Sequence, residues 1–176
     1  MTRSADRAVT LPALLASRDA RQARQTAWLR QHGVTLISFT VVAPGPVKDS
    51  DLTRRVFGHG LRALEDMARD ASWPVIAQAS FALITGPEAL LAINAPAQTV
   101  KRAAITLEQT HPLGRLWDID VFTSQGEILS RQQFSLPPRA CLICSRAAAL
   151  CAREQSHSLA ELLAHMETRL NDAEHA

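Results

Sequence analysis

The chain reads as an α+β domain: a mixed or antiparallel sheet with helices packed on it, closed by a helical, cysteine-rich C-terminal segment. Three observations predict this. Short runs rich in Val, Ile, Thr and Phe alternate with longer stretches whose apolar residues recur every three or four positions. Apolar residues make up 47% of the chain and charged residues 20%, a balance that supports a packed core. The 176 residues fit one domain by length, taken as 1–176 with 137–176 as a Cys/His-containing subregion.

Composition also excludes some function classes. A net charge of +2 offers no global polycation to nucleic acid. No apolar run approaches the roughly 18 residues needed to span a membrane, and the charged N-terminus lacks a signal-peptide core. The expected address is the cytoplasm, where three cysteines stay reduced. Among the 19 basic residues only Lys48 and Lys101 are lysines. Arginine's rigid fork suits phosphate and carboxylate, although genome composition produces the same bias.

In chain order, Thr10 caps a first helix with Pro12 in its opening turn. Ser17 offers a second cap, opening Arg18–His32 with Gly33 as the stop. Arg18, Arg21 and Arg24 gather on one side of it, as a solvated face or a ligand surface. Residues 34–42 read as a strand that ends at Ala43-Pro44-Gly45-Pro46-Val47-Lys48, because proline cannot donate to a ladder. Lys48 closes that loop as a phosphate-facing candidate without Walker spacing. Ser50 or Asp51 caps a helix to about Ala71, weakened by Gly58 and Gly60. Residues 73–85, a Gly86-Pro87 turn and residues 89–93 read as a hairpin, with a second helix as the alternative for the later run. Pro96 opens a helix to Thr110 with Val100, Ala103, Ala104 and Leu107 inward, and Lys101, Arg102 and Glu108 outward.

The next strand, residues 113–122, carries the chemistry. Alternation points Trp117, Ile119 and Val121 to a core and Leu116, Asp118, Asp120 and Phe122 to the other face. Two carboxylates about 7 Å apart along a strand repel unless a cation lies between them. Mg²⁺ suits that position, since carboxylates plus substrate phosphates are its usual ligands. The structural alternative is a pair of solvated acids on an edge strand. After the turn Ser124-Gln125-Gly126, residues 127–129 return as a short strand that brings Glu127 toward the pair.

The C-terminal third differs in kind. Cys141-x-x-Cys144, Cys151 and His157 make a complete Cys₃His set of the sort that encloses structural zinc. Small buried thiols are the alternative. Residues 147–152 read as a short helix and residues 158–171 as an amphipathic one.

Taken together, His111-Pro112-Leu113-Gly114-Arg115-Leu116-Trp117-Asp118-Ile119-Asp120-Val121, Ser130-Arg131, and Arg139-x-Cys141-Leu142-x-Cys144 with Cys151-x-Arg153 and His157 form a recognisable combination. It resembles the apo-citrate lyase phosphoribosyl-dephospho-CoA transferase family, also called holo-citrate lyase acyl-carrier-protein synthase, of the enterobacterial type. Ser17-Arg18-Asp19-x-Arg21-x-x-Arg24 and Pro44-Gly45-Pro46-x-Lys48 are similar to that family as well.

The resemblance implies transfer from 2′-(5″-triphosphoribosyl)-3′-dephospho-CoA to a serine of the citrate lyase acyl carrier (gamma) subunit, releasing diphosphate. On that reading Asp118 and Asp120 hold Mg²⁺, and Arg115 acts with them in catalysis. Lys48, Arg24, Arg131 and Arg139 bind the donor, and Glu127 or Asp120 serves as third acid or base. The acid pair on a strand extends this to a nucleotidyltransferase-like α+β fold. Two other functions use the same residues: a zinc-stabilised module that binds the carrier without chemistry, and a metal-dependent nucleotide hydrolase.

Overall fold

Thr10 starts the first helix as its composition dictates, its hydroxyl accepting from the Ala13 N–H, with Pro12 inside the first turn. A computed structural model describes residues 6–176. Helix α1 (Leu11–His32) is continuous, so Ser17 is not a second cap. No residue between Pro12 and Gly33 breaks a helix, and the Ser17 hydroxyl donates instead to Thr85 Oγ1. Gly33 stops the helix in the left-handed conformation that glycine takes without strain.

Strand β1 (Thr35–Val41) follows, then α2 (Asp51–Asp70) behind a complete capping box at Ser50 and Thr53. The expected hairpin forms from β2 (Val75–Phe81) and β3 (Glu88–Ile93). Helix α3 (Ala97–Thr110) leads through a 3₁₀ turn at Gly114–Leu116 into β4 (Trp117–Phe122). That turn shortens the expected strand, and Leu116 is fully buried rather than on the acid face. Helices α4 (Ala148–Glu154) and α5 (Leu159–His175) end the chain, the second capped by a Ser158–Glu161 box.

The four strands form one antiparallel sheet in the order β2-β3-β1-β4. One face is apolar: Ile37, Phe39, Leu91, Trp117, Ile119 and Val121 are buried in the main core with Val56 and Leu64 of α2 and Ala104 of α3. Trp117 spans this layer, its indole N–H donating to the Val56 carbonyl at 3.0 Å. Gly60 of α2 permits the contact, since a Cβ there would lie 2.3 Å from Phe39 Cζ and 2.9 Å from Trp117 Nε1. Helix α1 lies against the other face, where Gln25 donates to Ser38 at 2.8 Å.

Strand β4 is an edge, and two side chains and one backbone N–H occupy ladder carbonyls that no strand pairs. Arg139 donates to the Trp117 carbonyl, Lys101 to that of Ile119, and the Leu129 N–H to that of Val121. This is why Lys101 and Glu108, expected outward on α3, are buried. Their helix face meets an edge strand rather than water. The expected return strand contracts to a single Phe122–Ile128 pair, so Ile128 shares the acid face and Glu127 points to the other.

Candidate active site and metal centre

Register puts Asp118 opposite Thr40 and Asp120 opposite Ser38, with all four side chains on the α1 face. One strand further, Glu88 stands in the row of Thr40 and Asp118, since Phe39 pairs with Ala89. Three acids from two strands therefore share one sheet face. Glu88 is 4% exposed and held by two arginines of α1: Arg21 Nε donates to Oε1 at 2.9 Å and Arg24 Nη2 to Oε2 at 2.7 Å. Arg24 also lies over the Phe81 ring.

A cavity of about 370 Å³ opens here, lined in part by Arg18, Arg21, Thr40, Lys48, Glu88 and Asp118. Lys48 donates to the Ala43 carbonyl, which curls the proline loop back over the site. Burial and the nearby Arg18 hold its ammonium below the ordinary lysine range, so an anion arriving there gains from two cations already strained against each other. Asp120 touches solvent yet is crowded by protein, and this desolvation, followed by the charge of Asp118, pushes its carboxyl up. A cation beside the pair offsets the repulsion between the two carboxylates and favours their charged form. Two carboxylates on one strand face form an oxygen donor set of the kind that suits Mg²⁺.

The sequence-predicted residues divide around Asp118. Lys48 and Asp118 line the cavity, and Asp120 is two residues further along the same strand face. Arg24 is held at the edge by Glu88. Arg139 lies at the strand edge with its donors committed: Nη1 to Asp118 Oδ1 and the Trp117 carbonyl, both at 2.8 Å, and Nη2 to the carbonyls of Arg115 and Gly114. Arg131 is farther back, bound to Glu108 at 3.0 Å, and burial lifts the Glu108 carboxyl while Arg139 opposes that. Among the described residues Arg115 commits only Nε, to the Ala140 carbonyl.

Glu88, Arg18 and Arg21 join the site without having been singled out as its residues. The signal for Glu88 is one acid opening an otherwise apolar run, since such an acid enters a buried strand only if paired. The arginine spacing at 18, 21 and 24 was visible, but its target was not.

The Cys₃His set converges. The ligand atoms of Cys141, Cys144, Cys151 and His157 all lie within 4.8 Å of one another. Cys144 Sγ and Cys151 Sγ are 3.5 Å apart, close to the roughly 3.8 Å of two sulfurs on one tetrahedral zinc. His157 Nε2 is buried without a hydrogen-bond partner, as expected of a nitrogen reserved for a metal. Burial pushes the Cys141 thiol up, but the N–H groups of Cys144 and Ile143 bring it down to about 6. The set fits a metal ion. Arg139 is two residues from Cys141, and its carbonyl accepts from the Ala148 N–H, so the cluster and the acid strand share one short segment.

An acid-bearing sheet face, a lysine loop and an arginine helix thus bring carboxylates and cations to one cavity. The chain belongs to the apo-citrate lyase phosphoribosyl-dephospho-CoA transferase family, which matches residues 9–173. It is 57% identical over 167 residues to proteins of that name from Escherichia coli O139:H28 (strain E24377A / ETEC) and Shigella boydii serotype 18 (strain CDC 3083-94 / BS512). Each alignment covers 95% of this chain and 91% of the relative.

Proposed function

We propose that this protein moves the phosphoribosyl-dephospho-CoA group from 2′-(5″-triphosphoribosyl)-3′-dephospho-CoA to a serine of the citrate lyase acyl carrier subunit. The observation that carries the site assignment is the cavity shared by Asp118, Lys48, Arg18 and Arg21. The serine oxygen attacks the α-phosphorus, the new P–O bond replaces the bond to the bridging oxygen, and diphosphate departs as the serine loses its proton. Asp118 and Asp120 would hold Mg²⁺, which when bound neutralises charge developing on the phosphates.

Lys48, Arg18 and Arg21 offset the charge of the departing diphosphate, an electrostatic contribution expected to be large. Arg115 lies near enough to feel the Asp118 charge, and among the described residues its Nη groups make no hydrogen bond. Arg24 acts through Glu88, which it shares with Arg21. Arg139 positions Asp118, while Arg131 supports that edge through Glu108. The Cys₃His set would hold a structural zinc, because four protein ligands leave no open position for chemistry. Residues 137–176 thus form the metal-bearing part of one transferase domain. No helix among the described residues is long and apolar enough to cross a membrane, and reduced thiols suit the cytoplasm.

The test is to mix protein, apo carrier, triphosphate donor and Mg²⁺ and weigh the carrier. A mass gain equal to the donor less diphosphate is expected. Phosphate release with no gain on the carrier identifies a hydrolase, and a stable complex with neither identifies a binding module.

A further inference from the structure

The loop at Ala43 and Pro44 has a second side. Both residues line the phosphate cavity and also a larger one of about 490 Å³, bounded by the start of α2 and by α5. Its volume lies within the roughly 300–1,000 Å³ of small-molecule sites. Leu52, Leu159, Leu163 and Met166 give it apolar walls, with Ser50 and Asn171 as polar points. Gly45, in the left-handed region, packs so closely on Leu159 that a Cβ would lie 2.8 Å from its methyl groups. The loop is therefore moulded onto this groove as well as onto the phosphate site.

Charge decides which part of a ligand belongs where. Asp6, Asp51 and Glu167 line the groove, and the one basic residue among its described lining, Arg55, is already paired with Asp51 and Glu174. Phosphates are repelled from such a lining. A neutral chain of methylenes and methyl groups with a few amides is suited to it, because apolar burial drives binding while isolated polar groups fix orientation. Dephospho-CoA contains one such part, its pantetheine arm.

We infer that the groove between the Ala43–Lys48 loop, α2 and α5 binds the pantetheine arm of the donor, with the triphosphate on the other side of the same loop. This rests on the transferase reading and adds a specificity site to it. It makes α5 part of donor recognition although no acid, lysine or arginine of the phosphate cavity is on that helix.

The experiment compares the full donor with a donor truncated at the adenosine 5′-phosphate, which lacks the arm. With the unaltered protein, KM for the truncated donor should rise about tenfold or more, the scale on which an apolar pocket discriminates. Leu159→Gln, at a half-exposed position, should raise KM for the full donor and leave the truncated donor unchanged. Leu163→Trp, which fills the groove instead of making it polar, should do the same, so loss of fold in one variant does not decide the matter. Equal use of both donors by the unaltered protein, or equal impairment of both donors by folded variants, overturns the groove assignment while transfer itself stands. Absence of transfer to the apo carrier by the unaltered protein overturns the transferase reading and this inference with it.

Discussion

The two faces of β4 are made by one backbone and do opposite work. Trp117, Ile119 and Val121 are buried under α2 and α3, while Asp118 and Asp120 look toward α1 and solvent. Stability is concentrated on the first face, where apolar area leaves water. The second face can then carry charges that contribute little to folding and that repel one another. A strand buried on both faces could not carry the pair, and a fully solvated strand would not hold it in register.

The comparison is broken most severely at Trp117. Trp117→Ala removes the largest fully buried side chain and the hydrogen bond to Val56. A loss of about 3–5 kcal/mol is expected in denaturant unfolding, with activity falling only as the folded fraction falls. Asp118→Asn should do the reverse. Turnover should drop by roughly 10² or more, the scale of a lost electrostatic stabiliser, while the unfolding midpoint stays near that of the unaltered protein. Near-normal turnover at saturating Mg²⁺ would falsify the metal-site assignment.

A smaller effect should appear at the C-terminal cluster, whose segment is tied to the acid strand through Arg139 and through the Arg115–Ala140 hydrogen bond. Cys144→Ser is expected to lower stability by about 1–3 kcal/mol, the penalty of an ill-satisfied hydroxyl at a half-buried position, and to release metal where the cluster holds it. Elemental analysis of untagged protein reads this directly. Less than about a tenth of a zinc per chain in fully active protein would exclude a structural zinc that uses all four ligands.

The smallest effect sharpens the contrast by pH. Desolvation and then Asp118 raise the Asp120 carboxyl in the folded state. Its protonated form therefore favours folding below its unfolded value near 3.9, and that contribution is lost as pH rises through the raised folded value. In magnesium-free buffer Asp120→Asn should melt slightly above the unaltered protein at neutral pH, and the difference should vanish below about pH 4. Melts across that range that show the opposite sign would mean that Asp120 is already compensated.

Much of this was legible along the chain. Caps at Thr10 and Ser50 and the stop at Gly33 are local chemistry, and each appears as read; the hairpin also forms, but its turn closes from Leu83 to Gly86, ahead of the expected Gly86-Pro87. The alternation of Trp117, Asp118, Ile119 and Asp120 was legible because a strand has a period of two. Ser17 misled as a cap because a hydroxyl suits a helix start and a tertiary partner equally well. Lys101 and Glu108 misled because helical periodicity reports polarity, and polar groups were needed to meet the β4 edge.

By itself the sequence determined which residues are acids, thiols and strand formers, and how they recur. That is sufficient for the element types, the acid pair and the four residues of the Cys₃His set, because caps, periods and short spacings act within a few residues. Tertiary structure alone decided that Glu88 joins Asp118 across β1, that Arg18, Arg21 and Lys48 face the same cavity, and that Arg139 closes the strand edge. It also decided that Cys151 and His157 return to Cys141. Those contacts join residues dozens of positions apart in several cases, and they are fixed by sheet order and helix packing, which no local pattern specifies.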